Sequence, residues 1–218
     1  MMLGRALSAD FLKMRRKGIW FLAFLGPVGL LAMQALDFGL RYDYMMELNA
    51  SDLWGALIQQ LSFFVPLALF MGSTLIASLI ANVEHQSGSW KQLLALPISR
   101  SAVFTSKYLL GVIVLLISCL LLSGGTIILG LALKFKAEIP IQQLLSFTFL
   151  PLLAALPLLA FQLWLSLIIK NQALPVTIGI TASIASLFSG NFPAFVPLTW
   201  PTYSIMDSAT KQLLLVLY

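Results

Sequence analysis

Residues 54–82 read WGALIQQLSFFVPLALFMGSTLIASLIAN, and these 29 positions contain no Asp, Glu, Lys or Arg. An α-helix rises about 1.5 Å per residue, so roughly 20 such residues cross a hydrocarbon layer about 30 Å thick. The run exceeds that length even though Gln59, Gln60, Ser73 and Thr74 add some polarity. A tilted span whose ends reach the headgroups is expected.

On either side the pattern repeats. Residues 18–40 are apolar except for Asp37 near the far end, and residues 108–133 and 143–169 are uncharged inside. A fifth run, 173–190, follows after only Lys170, Asn171 and Gln172, which predicts an antiparallel helical hairpin. The first run is too long for the apolar core of a signal peptide, about 7 to 15 residues, and no small-residue cleavage site follows it. Pro193, Pro197 and Pro201 then break helix continuity, and beyond Asp207 and Lys211 the chain turns apolar again as LLLVLY.

The whole composition agrees. Apolar side chains make up 60% of the 218 residues and charged ones 10%, against roughly 25% charged in a soluble domain, and mean hydropathy is +0.95. Most of the surface must face lipid. The expected fold is all-α: a polytopic membrane helical bundle with five complete transmembrane helices and the start of a sixth, in a single domain over 1–218. Small residues at spacing four, Ser73, Ala77 and Ala81, and again Ala182, Ser186 and Gly190, are candidate positions for close helix packing.

A net charge of +5 with a pI near 9.5 raises the question of nucleic acid, and the placement of the basic residues answers it. They lie between apolar runs instead of along one face, so no nucleic-acid partner is expected. With the N-terminus in the cytoplasm, nine of the thirteen Lys and Arg fall on the cytoplasmic side, as the retention of basic loops predicts for a multi-pass protein of the cell membrane. In residues 1–17, Leu3, Leu7, Phe11 and Met14 recur at helical spacing while Arg5, Asp10, Lys13 and Arg16 fall elsewhere. That segment reads either as an interfacial helix on anionic headgroups or as a plain basic anchor.

Several chemistries are missing. The spans hold almost no ionisable groups, which argues against ion-coupled transport and intramembrane hydrolysis. Cys119 sits between Ile117, Leu120 and Leu121 and reads as packing. His85 beside Glu84 is too few donors for a metal site. There is no phosphate-cradling loop, zinc-hydrolase motif or serine elbow, so no catalytic residue, metal or cofactor is expected in this chain.

The segment after residues 54–82 has its own design. Ser89 caps a short helix that Pro97 stops, with Trp90, Leu93, Leu94 and Pro97 on one face and Lys91, Gln92 and Ala95 elsewhere. Such an amphipathic helix suits either the inner leaflet or a groove on a cytoplasmic partner.

Residues 84–100, E-H-x-x-G-S-W-K-x-L-L-A-L-P-I-S-R, followed by Lys107 at the opening of the third span, together with L-x-A-D-F-L-K-M-R-R-K at residues 7–17, resemble the ABC-2 type transporter permeases, in particular the lantibiotic-immunity-like branch. The resemblance implies a six-helix permease subunit of an exporter, paired with a second permease subunit, identical or paralogous. It also implies separate cytoplasmic ATP-binding subunits that hold ATP and Mg. The loop over 83–106 would carry the coupling helix that engages the ATPase, so Glu84, Gly88, Trp90, Lys91, Leu93, Leu94, Pro97 and Arg100 inherit that role. Where the family places a complete sixth helix, residues 207–218 offer only the beginning of one. The cargo implied is hydrophobic or amphiphilic, such as a peptide antibiotic in an immunity or resistance role. The rival reading is a non-transporting scaffold or sensor that recruits a partner through the Trp90 helix.

Overall fold

The structure is a computed structural model that describes residues 2–14, 18–49, 52–87, 99–135 and 138–206. Seven α-helices occur among the described residues with assigned bounds: α1 (Met2–Met14), α2 (Ile19–Leu40), α3 (Tyr42–Leu48), α4 (Leu53–Ser87), α5 (Arg100–Ala132), α6 (Ile141–Ile168) and α7 (Ala173–Ser186). A 3₁₀ turn follows at Ser189–Asn191, residues 200–206 are helical, and the described residues contain no strand.

Helices α2, α4, α5 and α6, of 22, 35, 33 and 28 residues, are long and apolar enough to cross a membrane. The fifth apolar run forms α7, whose 14 residues extend only about 21 Å, short of a full hydrocarbon layer. It stops where Ser-Gly-Asn-Phe-Pro at 189–193 offers turn residues in place of helix formers. Among the described residues the bundle therefore contains four full-length spans and one shorter apolar helix, and the start of a sixth helix expected at 207–218 lies outside them.

Local signals account for several helix ends. Asp52 Oδ1 accepts the Gly55 N–H at 2.8 Å at the start of α4, and Ser99 Oγ accepts the Ala102 N–H at 3.2 Å at the start of α5. Each satisfies a donor that a first turn leaves open. Between α1 and α2, Gly18 takes φ 76°, a left-handed conformation that glycine adopts without the Cβ penalty. Helix α5 ends in a Schellman arrangement: the Phe135 N–H reaches Gly130 O at 3.1 Å and the Lys134 N–H reaches Leu131 O at 3.0 Å, with Lys134 at φ 59°.

Helix α4 is the axis of the bundle. It packs on α2, α5, α6 and α7, and half of its most apolar 18 residues are buried, against 22% for α2. Helix α1 docks on α5 and touches α4, while α5 also packs on α2 and α6. Leu7 and Phe11 of α1 press on the core, and the Phe11 ring lies 5.9 Å from that of Trp20. This helix thus has a protein-facing side as well as any face it offers the membrane surface.

Ser73, Ala77 and Ala81 on α4 are all buried. On α7 the buried set is Pro175, Gly179, Ser183 and Ser186, whereas Ala182 is half-buried and Gly190 is exposed. The buried stripe includes Ser186 but otherwise runs one position away from the spacing-four series expected from sequence. Apart from Pro175 both series contain only small residues, and the contact with α4 selects between them. A Cβ at Gly179 would overlap the Thr74 side chain, so glycine is what allows α7 to approach α4 this closely.

The two ends of the bundle differ. At one, Phe38 and Trp54 pack on Phe135 with ring centroids at 5.9 and 5.3 Å, and Tyr42 Oη donates to Leu133 O at 3.3 Å. At the other lie the ionisable groups described next.

Candidate functional site

The expected coupling loop, 83–106, is narrower in the structure than in the sequence reading. Helix α4 continues through Ser87 and α5 begins at Arg100, which leaves residues 88–98 outside the described residues. The two helix ends that flank this segment are bound into a polar assembly at one end of the bundle.

Asp10 and Lys13 are three residues apart on α1 and so share a face. That face meets Glu84, near the end of α4, and Lys107, two turns into α5. Lys107 Nζ donates to Glu84 Oε1 at 2.7 Å and to Asp10 Oδ1 at 3.1 Å, and Lys13 Nζ donates to the same Glu84 oxygen at 3.3 Å. Ser106 Oγ donates to Asp10 Oδ2 at 2.8 Å. Glu84 and Lys107 are buried, their side chains 2% exposed, while Lys13 is 39% exposed at the rim.

Among the described residues, two lysines and two carboxylates leave this cluster formally neutral. Removing one charge from such a set leaves an uncompensated buried ion, which is far more costly than the intact pair is stabilising. The packing is tight as well: the space among Asp10, Lys13, Glu84 and Lys107 is about 10 Å³, at the lower limit for one water.

The adjacent residue on α4 reaches the opposite way. His85 Nε2 lies 3.1 Å from Ser166 O near the end of α6; a carbonyl only accepts, so Nε2 carries the proton in this contact. Gln172 Nε2 donates to Ser166 O and to Ile169 O, both at 2.8 Å, and Ser78 Oγ donates to Gln172 Oε1 at 3.2 Å. The end of α4 is therefore held by α1 and α5 through Glu84, and by α6 and the α6–α7 turn through Ser78 and His85.

Of the residues assigned to coupling, Glu84 is 1% exposed inside the ion cluster, so it grips neighbouring helices and presents no surface to a partner in this arrangement. Arg100 is exposed at the first turn of α5. Gly88, Trp90, Lys91, Leu93, Leu94 and Pro97 lie outside the described residues. Asp10, Lys13, Ser106 and Lys107 were not singled out from sequence as a site. The available signal was slight: an acidic residue within a basic N-terminal segment, and a lysine at the mouth of an apolar run. Among the described residues no group of three or more His, Cys, Asp and Glu could hold a metal, and Cys119 is buried with Sγ 3.6 Å from Thr148 O.

A family model described as ABC-2 family transporter protein matches residues 6–186, well over half of the chain, and the matched stretch contains Asp10, Lys13, Glu84, Ser106 and Lys107. Neither the comparison with curated proteins nor that with solved structures found a match.

Proposed function

Because the chain belongs to the ABC-2 transporter family, as the multi-pass membrane component rather than the ATPase subunit, we propose that it works as an exporter. As a permease subunit of an ABC transporter it associates with an ATP-binding subunit. In this proposal ATP and Mg reside on that partner, and a second permease subunit, identical or paralogous, completes the path for a hydrophobic or amphiphilic cargo. The N-terminus and the segment between α4 and α5 face the cytoplasm across the cell membrane. A peptide antibiotic is the cargo that the sequence resemblance favours, which would make this an immunity or resistance protein.

The observation that carries the coupling role is the double hold on the end of α4. A segment that receives movement from an ATPase must pass it to the spans, and residues 88–98 are joined on both sides to helix ends locked together by Lys107 and Glu84. With Asp10 bonded to the same lysine, α1 joins the unit. Residues Trp90, Leu93, Leu94 and Pro97 then form the face offered to the ATPase, Lys91 and Arg100 flank it, and Gly88 links it to α4. Glu84 transmits from inside the bundle.

The test is mild-detergent purification of the tagged protein from its native membrane, with mass spectrometry of co-eluting chains and an ATPase assay. A stoichiometric ATP-binding subunit and cargo-stimulated hydrolysis are expected. A chain that elutes alone, or with a partner that has no ATPase activity, overturns the exporter reading in favour of a recruitment scaffold.

A further inference from the structure

Between α2, α4 and α5 lies a cavity of about 280 Å³, nearly twice the roughly 150 Å³ of an engineered apolar cavity that stays dry and admits benzene. Its lining is almost wholly apolar. The few polar side chains there already have partners: Ser118 Oγ donates to Ala23 O at 2.9 Å, and Thr148 Oγ1 donates to Leu144 O at 2.9 Å. No polar atom on these two side chains awaits a ligand, and water gains little there.

The cavity has a mouth. Leu25 is 50% exposed and Met71 39% exposed, and Gly29 beside them is exposed too, so the space opens outward between α2 and α4. Its inner wall includes Leu115 and Cys119, which are 3% and 4% exposed. These positions lie 8 and 12 residues beyond Lys107, about 12 and 18 Å along α5 at 1.5 Å per residue. The opening therefore falls at hydrocarbon depth, where acyl chains are the surrounding solvent.

Three glycines, Gly26, Gly29 and Gly72, line the space, and a Cβ at Gly72 would press on Leu115. In membrane bundles a helical glycine commonly lets a neighbouring helix come close, and Gly130 and Gly179 do so, each with a side chain directly over it. Gly26 and Gly29 line the cavity, yet a Cβ built on either meets nothing within 4 Å. Their missing side chains leave room without permitting a contact.

We propose that this cavity is a lipid site, in which one acyl chain of a bilayer phospholipid enters between α2 and α4 and lies against α5. A chain is preferred over a compact ligand because the mouth faces lipid laterally and the wall offers no polar anchor. The site depends only on the bundle spanning a bilayer, so it stands apart from the direction of transport and the identity of the cargo.

The full chain, with any subunits that accompany it, would be placed in bilayers of phosphatidylcholine carrying a photoactivatable diazirine midway along one acyl chain, irradiated, and mapped by mass spectrometry. Adducts on Leu115 and Cys119 are expected, because both are buried and lipids on the outer surface reach instead their exposed neighbour Leu116. Gly29→Leu should reduce those adducts several-fold while leaving adducts at exposed Leu131 and Leu153 unchanged. Gly26→Leu provides a second filling variant should the first fail to fold. Absence of adducts at Leu115 and Cys119, or adducts there that neither filling variant reduces, overturns the proposal. So does labelling of Leu115 and Cys119 by a free diazirine-bearing alkane in unlabelled bilayers when the labelled phospholipid leaves both untouched, since the site would then admit only detached apolar molecules.

Discussion

Lys107 Nζ sits 2.7 Å from Glu84 Oε1, and each side chain is 2% exposed. The same lysine reaches Asp10, so one ammonium on α5 joins the first helix of the chain to the end of α4. Lys107→Met removes the shared cation and leaves Asp10 without an ionic partner in the described cluster. The expected loss is about 3 kcal/mol, at the low end for a broken buried pair because Lys13 still reaches Glu84. A fall in the apparent melting midpoint in detergent checks this. Adding Asp10→Asn and Glu84→Gln to the same chain should recover much of the loss; an unchanged midpoint in the single variant would mean that the pairing does not support the fold.

Lys134 is a non-glycine residue in the left-handed region, at φ 59°, in the Schellman turn that ends α5. A side chain in that conformation costs about 1 kcal/mol relative to glycine. Lys134→Gly should therefore raise the melting midpoint although it deletes an exposed charge, while Lys134→Val should lower it. The opposite order would show that the turn is not formed in the membrane.

Gly130 lies beneath the Trp54 indole, and any Cβ there overlaps the ring. Trp54 is 2% exposed and also meets Phe135 edge-on, so it has little room to retreat. Gly130→Ala should cost about 1–3 kcal/mol by overpacking. Pairing it with Trp54→Leu should recover part of the loss, and thermal melts of the four chains in a double-mutant cycle would measure the coupling.

For the segment between α4 and α5, Trp90→Ala should reduce cargo-stimulated ATPase activity of the assembled complex more than it reduces the amount of protein inserted in the membrane. Lys91→Ala should have the smaller effect, since an exposed ion pair contributes below about 1 kcal/mol. Activity of the Trp90 variant equal to that of the parent counts against a coupling face centred on that residue.

The spans were legible because insertion into lipid depends on local sums. The runs at 18–40, 54–82 and 143–169 coincide closely with α2, α4 and α6, since about 20 apolar residues in a row satisfy their own backbone hydrogen bonds as a helix wherever they sit. The Lys and Arg that flank these runs supported an orientation for the same local reason. At 173–190 the reading was less complete, because apolar content predicts residence in lipid but not the position where α7 stops short at Ser186.

The site was much less legible. Asp10, Lys13, Glu84 and Lys107 come from three helices, with 97 residues separating Asp10 from Lys107. In sequence, Asp10 and Lys13 are ordinary polar positions of an amphipathic segment, Glu84 is part of a loop motif, and Lys107 marks the start of a span. On α7, the alternative small-residue series 182, 186, 190 was as plausible by spacing as the one that packs until Gly179 met Thr74.

By itself, then, the sequence determined that this is a helical membrane protein, where its long spans run and which family it resembles, because hydropathy and short motifs are local properties of the chain. Which helix faces packed, which charges paired, and where a cavity opened between α2 and α4 were decided only by the tertiary structure. Those outcomes depend on which helices become neighbours, and in a lipid solvent that choice rests on close packing and on pairing buried charges rather than on hydrophobicity.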